Sequence, residues 1–224
     1  MSYTYVAPTL TEDNVIFQLI NNQLTVLLVK RGKEPFKGQW ALPGGYNAAG
    51  DTTTDAMKRV LLTKTGIKMS ELRFVEQLYT FDTVARDPRG HAVSVSYMGL
   101  CRDLEPKHTA STENPVFVPV KDLPELAYDH ASIVNYAHER LQSKVNYSNV
   151  VFALLPDKFT LTELQSAYEA IFGHKLDKRN FRKKFLSLEL ISPIKKLKRE
   201  GAHRPAQLYA FNKQGLQILT RSFE

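Results

Sequence analysis

The chain has 224 residues, 43% hydrophobic and 24% charged, a balance that excludes a disordered, collagenous or fibrous protein. Its length predicts one large domain, or an ordinary domain with a small one. Of the net charge of +7, residues 1–142 contribute −1, with 15 basic and 16 acidic side chains, and residues 143–224 contribute +8, with 15 and 7. A basic excess confined to one segment is typical of a module that binds nucleic acid, the alternative being a solvated basic face without a partner.

The cysteine content and the apolar runs indicate the compartment. The single cysteine, Cys101, has no partner for an internal disulfide, and the first residues lack the basic and apolar regions of a secretory signal. The longest apolar runs, such as 24–29 and 150–155, are far shorter than the roughly 20 residues that cross a bilayer. We therefore expect a cytoplasmic protein with no membrane partner.

The first part of the chain predicts strands mixed with helix. Two β-rich runs, 13–20 and 24–31, flank an Asn-Asn-Gln turn, which predicts a hairpin because Asn tolerates left-handed backbone. Residues 52–65 are predicted to form a helix that ends at Gly66. Alternating polarity predicts further strands at 73–81, 91–101 and 115–120.

A second helix is predicted to close this part of the chain. Asp129 stands at its N-cap position, and the apolar residues behind it have the spacing of one helical face: Ile133, Val134, Ala137 and Leu141. The segment 143–148 then reads as a short polar connection. We expect the domain boundary there, with a first domain over residues 1–145 and a second over 146–224.

A glycine-rich turn, Gly44-Gly45, introduces the helix predicted at 52–65. The residues that follow resemble the signature Gly-x5-Glu-x7-Arg-Glu-U-x-Glu-Glu-x-Gly-U of the Nudix family of nucleoside-diphosphate hydrolases, where U is a bulky aliphatic. Five of its nine fixed positions match, and Asp51 conservatively replaces a sixth. The resemblance implies an α+β fold of the Nudix type, an α/β/α sandwich with a mixed sheet.

The three signature positions that fail are all glutamates, and here they are Val60, Thr63 and Lys64. Their spacing places them on one face of a helix, where carboxylates gather a hard cation such as Mg²⁺. Because pyrophosphate hydrolysis relies on that metal, we expect no catalytic residues, no metal and no cofactor. Asp51 and Asp55, at the helix start, are expected to cap the helix or complement its dipole.

A second resemblance concerns ligand recognition. The segment Arg86-Asp87-Pro88-Arg89-Gly90 is similar to one near the ligand site of Nudix proteins that handle ADP-ribose, and Asp129-His130 matches the family as a helix cap followed by a ligand contact. Paired arginines suit a diphosphate or a sugar phosphate, although a solvent-exposed turn is the alternative. Aromatic residues offer a stacking surface or fill the core. The predicted ligand-binding residues are Phe36, Trp40, Arg86, Asp87, Arg89, His91 and Ser94.

The second part of the chain predicts two helices and a hairpin. The first helix runs from a capping box at 160–163 to a stop at Gly173. The second helix, roughly 177–190, carries the densest basic cluster of the chain. Strands predicted at 191–197 and 207–211 enclose a basic turn.

This order of elements resembles a winged helix-turn-helix domain. In that fold the second helix reaches base edges in the major groove while the wing approaches phosphates. Phe181, Phe185 and Leu188 form the packing face of the predicted helix. The predicted DNA-binding residues are Lys178, Arg179, Asn180, Arg182, Lys183, Arg199, His203 and Arg204. A helical protein-interaction module with a charged face is the alternative.

Together the two parts resemble the Nudix-related transcriptional regulators over essentially the whole chain. Members of that family repress genes of NAD metabolism or regulate sugar utilisation. The resemblance implies a homodimeric repressor that binds a double-stranded DNA operator, with a small-molecule effector such as ADP-ribose or a sugar derivative in the Nudix pocket. The alternatives are a hydrolase of ADP-ribose or a related nucleoside diphosphate, and a scaffold whose basic domain binds protein.

Overall fold

The computed structural model describes residues 5–109, 113–198 and 205–219. The chain divides into two compact units, the first formed by Met1–Gln18 and Thr25–Ala137 and the second by Leu19–Leu24 and His138–Glu224. Within the described ranges, no helix combines the length and the hydrophobicity needed to cross a membrane. In chain order the strands and α-helices are β1 (Thr9–Ile20), β2 (Gln23–Lys30), β3 (Trp40–Ala41), β4 (Gly44–Tyr46), α1 (Thr53–Thr65), β5 (Phe74–Phe81), β6 (Ala92–Leu100), β7 (Glu113–Pro119), α2 (His130–Tyr147), β8 (Phe159–Thr160), α3 (Leu161–Phe172), α4 (Lys178–Ser187), β9 (Ile191–Lys198) and β10 (Ala206–Phe211).

The first unit is built on a mixed sheet with the strand order β3-β2-β1-β6-β5. β4 joins β1, and β7 joins β2. β1 pairs in parallel with β6 and antiparallel with β4, so both parallel and antiparallel ladders meet at this strand. The predicted β1–β2 hairpin is confirmed, and its turn residues Asn21 and Asn22 have φ angles of 51° and 59°, the left-handed backbone for which Asn is suited.

Helix α1 packs its apolar face on this sheet. Met57 and Leu61 of the helix lie in one buried cluster with Ile16, Leu27 and Tyr97 of the strands. The predicted helix end is confirmed, because Gly66 caps α1 in the left-handed conformation with φ 71°.

Helix α2 confirms the predicted apolar face but extends further than expected. The four residues of that face are fully buried: Ile133, Val134, Ala137 and Leu141. The segment 143–148, expected as a polar connection, instead continues the helix to Tyr147. Val145 lies one turn after Leu141 on the same apolar face and is fully buried, so packing outweighs the polar composition of its neighbours.

The second unit contains a helix pair followed by a small antiparallel sheet in the order β8-β10-β9. The predicted capping box opens α3: the Thr160 hydroxyl accepts a hydrogen bond from the Glu163 amide, and the Glu163 carboxylate accepts one from the Thr160 amide. Gly173 ends α3 with φ 77°, as predicted.

Helix α4 begins after its N-cap residue Asp177 and ends at Ser187, earlier than the predicted end at 190. The shorter helix has a local cause, since Glu189 adopts a left-handed φ of 54° that α-helix cannot continue through. Phe181 and Phe185 are buried and pack edge-to-face against Tyr168 of α3. The aromatic core therefore orients α4 so that its polar face meets solvent.

Candidate functional site

A cavity of about 980 Å³ lies in the first unit, a size typical of sites for small molecules. Thr11 and Asp13 of β1 line it, whereas the intervening Glu12 does not, as expected for alternating strand residues. Among the described residues, the charged lining has six basic side chains against three carboxylates: Lys30, Arg31, Lys33, Lys64, Arg86 and Arg89 against Asp13, Glu34 and Asp87. This excess of positive charge suits an anionic ligand.

A buried ion network joins the cavity wall to the start of α2. The Arg86 side chain is only 5% exposed and donates hydrogen bonds to both Asp129 carboxylate oxygens, at 2.7 and 2.9 Å. It also donates to Asp13 Oδ2 at 3.3 Å, and Ser94 Oγ donates to the same oxygen at 2.6 Å. Burial opposes the charge of Arg86, but the hydrogen bonds and charges of Asp129 and Asp13 outweigh it and raise the guanidinium pKa.

His130 completes this network as a neutral ring. Its Nδ1 accepts a hydrogen bond from the Leu42 amide at 2.8 Å, so the proton of the neutral ring resides on Nε2, 3.4 Å from Asp13 Oδ1. Burial lowers the pKa of His130 and thus favours the uncharged form. The Nε2 side of the ring therefore faces Asp13, while its Nδ1 side is fixed by the backbone of Leu42.

The Arg-Asp-Pro-Arg turn is closed by its own side chains. Arg89 contacts Asp87 in a bidentate arrangement, with Nη2–Oδ2 and Nε–Oδ1 distances of 2.6 and 2.9 Å. The hydrogen bonds from Arg89 lower the pKa of Asp87. Arg89 Nη1 also donates to the Tyr46 hydroxyl at 2.6 Å, which ties the turn to β4, and both residues line the cavity.

Tyr128 provides the aromatic wall of the cavity. The Phe36 ring meets it edge-on at 4.8 Å between centroids, and the Arg31 guanidinium lies over its face at 4.8 Å. Tyr128 has a positive φ of 56°, an unfavourable backbone conformation for a bulky residue. Its hydroxyl is buried without a hydrogen-bond partner in the described structure, which is uncommon for a buried polar group.

The structure brings three predicted ligand residues into the cavity lining: Arg86, Asp87 and Arg89. Ser94 and Phe36 are not in the lining, but each contacts a lining residue: Ser94 donates to Asp13, and the Phe36 ring meets that of Tyr128. His130, expected as a ligand contact after a helix cap, also lies in the lining. The ligand-binding roles of these residues stay predictions.

The structure does not bring Trp40 or His91 to the lining. Ala41 faces the cavity, so Trp40, its neighbour along β3, points to the opposite side of the strand. His91 is exposed immediately before β6. The prediction for Trp40 rests on its aromatic ring and the prediction for His91 on the motif beside it, and neither property specifies the face of a strand.

Other cavity residues escaped sequence reasoning. The sequence pattern places Asp13 only in a strand, although a carboxylate within the apolar run of β1 is itself a signal of a functional position. Tyr128 directly precedes the Asp129-His130 pair that matches the family pattern, but no neighbouring residue in the sequence indicates its positive φ. Arg31 comes to the cavity through the loop after β2 and has no motif of its own.

The three residues that replace the glutamates of the Nudix signature each have a different environment. Val60 is buried, and its Cγ2 would lie only 2.9 Å from a Cβ on Gly45, so the side chain fills the space that the glycine leaves. Thr63 Oγ1 donates to the Arg59 carbonyl at 2.8 Å. Lys64 lines the cavity. Within the described ranges, no cluster of three or more His, Cys, Asp or Glu side chains is arranged to hold a metal ion, and this donor set does not fit the divalent cation of the Nudix signature.

The remaining carboxylates near the signature have separate partners. Asp55 lies in the first turn of α1, as predicted, and accepts a hydrogen bond from the N-cap residue Thr52. Asp51 forms an ion pair with Arg59 at 2.8 Å. Glu12 is fully buried, neither of its carboxylate oxygens has a hydrogen-bond partner in the described structure, and burial raises its pKa to about 7.

The basic face of α4 is the prominent feature of the second unit. Lys178, Arg179, Asn180 and Lys183 are exposed. Arg182 is partly buried instead and donates to Thr162 Oγ1 of α3 at 3.1 Å, so it joins the two helices. The wing residues predicted to bind DNA, Arg199, His203 and Arg204, lie outside the described residues.

A Nudix-type sheet with its helices, followed by a winged helix with a basic second helix, defines a Nudix-related DNA-binding regulator. A NUDIX domain model matches residues 11–137, and a model of the NrtR DNA-binding winged helix domain matches residues 151–211. The chain is 37% identical over 213 residues to the ADPR responsive transcriptional repressor NtrR of Acinetobacter baylyi, covering 92% of this chain and 83% of that protein. It is 33% identical over 132 residues to the ADP-ribose pyrophosphatase of Methanocaldococcus jannaschii, covering 58% and 73%.

Solved structures give the same result. Shewanella oneidensis NrtR complexed with a 27mer DNA superposes with a TM-score of 0.79 and 32% identity, over 96% of this chain and 99% of that one. The NUDIX domain of the same protein complexed with ADP ribose matches with a TM-score of 0.56 and 36% identity, over 61% and 90%. The chain belongs to the NrtR family of transcriptional regulators. The predicted fold and the predicted class of function are thereby confirmed.

Proposed function

We propose that this chain represses transcription by binding a DNA operator as a homodimer, and that ADP-ribose in the cavity of the first unit changes its affinity for that operator. The carrying observation is the 37% identity, across 92% of the chain, to an ADPR responsive transcriptional repressor. The predicted domain boundary at 145/146 lies between the two segments matched by family models and stays part of this proposal.

The chemistry of the cavity supports ADP-ribose as the effector. A diphosphate finds the basic side chains Arg31, Lys33 and Lys64 in the lining. The hydroxyl of Tyr128 is an unsatisfied hydrogen-bonding group, and its ring adds aromatic surface to the lining for a base or sugar. Arg86 and Arg89 are held by carboxylates, so they keep a defined geometry before the ligand arrives.

The exposed face of α4 supports operator binding. Arg179 and Asn180 lie in the first turn of the helix, and their side chains suit guanine and adenine edges in the major groove. Lys178 and Lys183 suit phosphate contacts, which supply affinity but no sequence information. The DNA bound to the S. oneidensis relative is a 27mer, long enough for two half-sites about 10 base pairs apart, in keeping with a two-fold dimer.

We further propose that the first unit does not hydrolyse its ligand. Val60, Thr63 and Lys64 supply no carboxylate where the Nudix signature places its metal ligands. Hydrolysis is the second candidate function because the chain shares 33% identity over 132 residues with an ADP-ribose pyrophosphatase. Incubation of the full chain with ADP-ribose and MgCl₂ distinguishes the two, since a hydrolase releases AMP and our proposal predicts none.

A DNA-binding titration tests the regulatory proposal. Labelled DNA from upstream of the protein's own gene and of its neighbours is titrated with the full chain, against a scrambled competitor at near-physiological salt, with and without ADP-ribose. We expect competitor-resistant binding whose affinity ADP-ribose shifts. Specific binding that ADP-ribose leaves unchanged would disprove the effector, and equal affinity for scrambled DNA would disprove the regulator.

A further inference from the structure

We infer that Lys64 supplies to the diphosphate of the ligand the positive charge that a divalent cation supplies in a Nudix hydrolase, so that this chain binds a nucleoside diphosphate without metal. The inference deepens the proposed function and rests on a diphosphate-containing effector in the cavity. Lys64 replaces a metal-binding glutamate of the Nudix signature, and the inference gives this lysine a ligand-binding role in addition to the loss of a metal ligand.

The position of Lys64 separates it from the other two altered signature residues. Val60 is buried against Gly45, and the Thr63 hydroxyl is bonded to the backbone of α1, so neither belongs to the cavity lining. Lys64 lies in the last turn of α1 and lines the cavity together with Gly44 and Gly45. The side chain that replaces a metal-binding carboxylate is therefore the one that a bound ligand meets.

The electrostatics of the site favour an anion next to Lys64. Burial, and after it the charges of Arg31 and Lys33, lower the pKa of the Lys64 ammonium. Arg31 is anchored in this arrangement, since its Nε donates to the Pro35 carbonyl at 2.9 Å. Like charges held together in a partly enclosed cavity repel one another, and a diphosphate between them relieves that repulsion.

The charge of the whole lining agrees with this assignment. Six basic side chains face three carboxylates among the described lining residues, and the carboxylates of Asp13 and Asp87 are engaged with Arg86 and Arg89. Arg31, Lys33 and Lys64 are three further cations of the same lining, and Glu34 is its third carboxylate. A metal dication would add to this charge, whereas a diphosphate neutralises it.

The test is a calorimetric titration of the full chain with ADP-ribose, once in EDTA and once in MgCl₂, and a parallel titration with inorganic pyrophosphate. We expect the wild-type chain to bind ADP-ribose equally well in both buffers. Lys64→Met is expected to bind about tenfold to a hundredfold more weakly, the range for losing a charge-assisted hydrogen bond. Lys58→Met, on the exposed side of the same helix, is the matched control and is expected to bind as the wild type does.

A second variant keeps the inference falsifiable. Lys64→Glu restores the carboxylate of the signature, and we expect its ADP-ribose binding to be lost in EDTA and partly recovered in MgCl₂. Wild-type binding that requires Mg²⁺, or Lys64→Met binding equal to wild type with an unchanged melting temperature, would overturn the inference. If the wild-type chain does not bind ADP-ribose but binds pyrophosphate, and Lys64→Met weakens that binding, the effector proposal fails and the inference stands. If it binds neither ligand, both fail.

Discussion

The two binding regions hold arginine in opposite ways. Arg86, in the cavity of the first unit, is 5% exposed and bonded to Asp13 and Asp129. Arg179, on α4 of the second unit, is exposed to solvent. A small ligand is recognised by groups whose geometry is set in advance, and the cavity achieves this by pairing its buried cations with carboxylates. A DNA surface instead keeps its cations hydrated and ready to displace counterions from phosphates.

This contrast predicts that the same substitution has different consequences in the two units. Removing a cavity arginine leaves buried carboxylates without a counterion, so we expect the free energy of unfolding to fall. Removing an α4 arginine changes only an exposed helix surface, so we expect the stability to be unchanged and the affinity for DNA to fall. Four predictions follow this contrast from the larger effects to the smaller.

Arg86→Ala is expected to give the largest loss of stability. Asp13 then remains buried without its guanidinium partner, and breaking a buried ion pair costs about 3–5 kcal/mol of unfolding free energy. Arg179→Ala is the matched control, because substitutions of exposed surface residues stay within about 0.5 kcal/mol. Urea unfolding of both variants measures the difference. Equal midpoints for the two variants would show that the buried network does not stabilise the fold.

Glu12→Gln is expected to remove a pH dependence of stability. Burial raises the pKa of Glu12 from 4.5 to about 7, so the folded state holds the proton more tightly than the unfolded chain. The stability this confers is fully present below pH 4.5 and is lost as pH rises through 7, by roughly 3 kcal/mol at about 1.4 kcal/mol per pH unit. The charged neighbours are Arg59, which favours ionisation, and Asp13 and Asp51, which oppose it.

The check is urea unfolding of wild type and Glu12→Gln at pH 5 and pH 8. We expect the stability of the variant to lie within about 1 kcal/mol of that of the wild type at pH 5 and to exceed it by more at pH 8, because glutamine remains neutral in the buried position. A wild-type advantage at pH 8 would mean that Glu12 is ionised and compensated by Arg59, contrary to the prediction.

Arg179→Ala is expected to weaken operator binding by about 1–3 kcal/mol, which is roughly 5-fold to 150-fold, if Arg179 reads a base edge. Lys213→Ala, an exposed substitution outside α4, is the control and should retain operator affinity. Fluorescence anisotropy at fixed salt measures both affinities, and calorimetry with ADP-ribose should show no change for either variant. Unaltered operator binding by Arg179→Ala would disprove α4 as the recognition helix.

Tyr128→Phe is expected to give the smallest effect and to separate ligand affinity from folding. If a ligand atom pairs with the buried hydroxyl, its removal lowers ADP-ribose affinity by about 0.5–1.5 kcal/mol. Stability should not fall, because the hydroxyl has no hydrogen-bond partner in the described structure to lose. Calorimetry and thermal unfolding test the two parts. Weaker folding with normal affinity would assign Tyr128 a structural role instead.

The sequence by itself determined the features that depend on neighbouring residues. Helix ends were predicted where a glycine supplies left-handed backbone, at Gly66 and Gly173, and where the Thr160–Glu163 box satisfies amides at the start of α3. The α4 end was missed because the left-handed Glu189 has no such local marker. Family spacing identified the Nudix and winged-helix parts, since those motifs are contiguous in the chain.

The tertiary structure alone decided which side chains share the cavity. Arg86 meets Asp13 across 73 residues and Asp129 across 43, distances over which no local pattern specifies a contact. Asp13 is in the cavity lining and Trp40 is not, because only one face of each strand points into the cavity. Composition and spacing indicate which chemical groups the chain contains. Strand register and packing determine where each side chain points, because a shift of the register by one residue turns the side chain to the other face of the sheet.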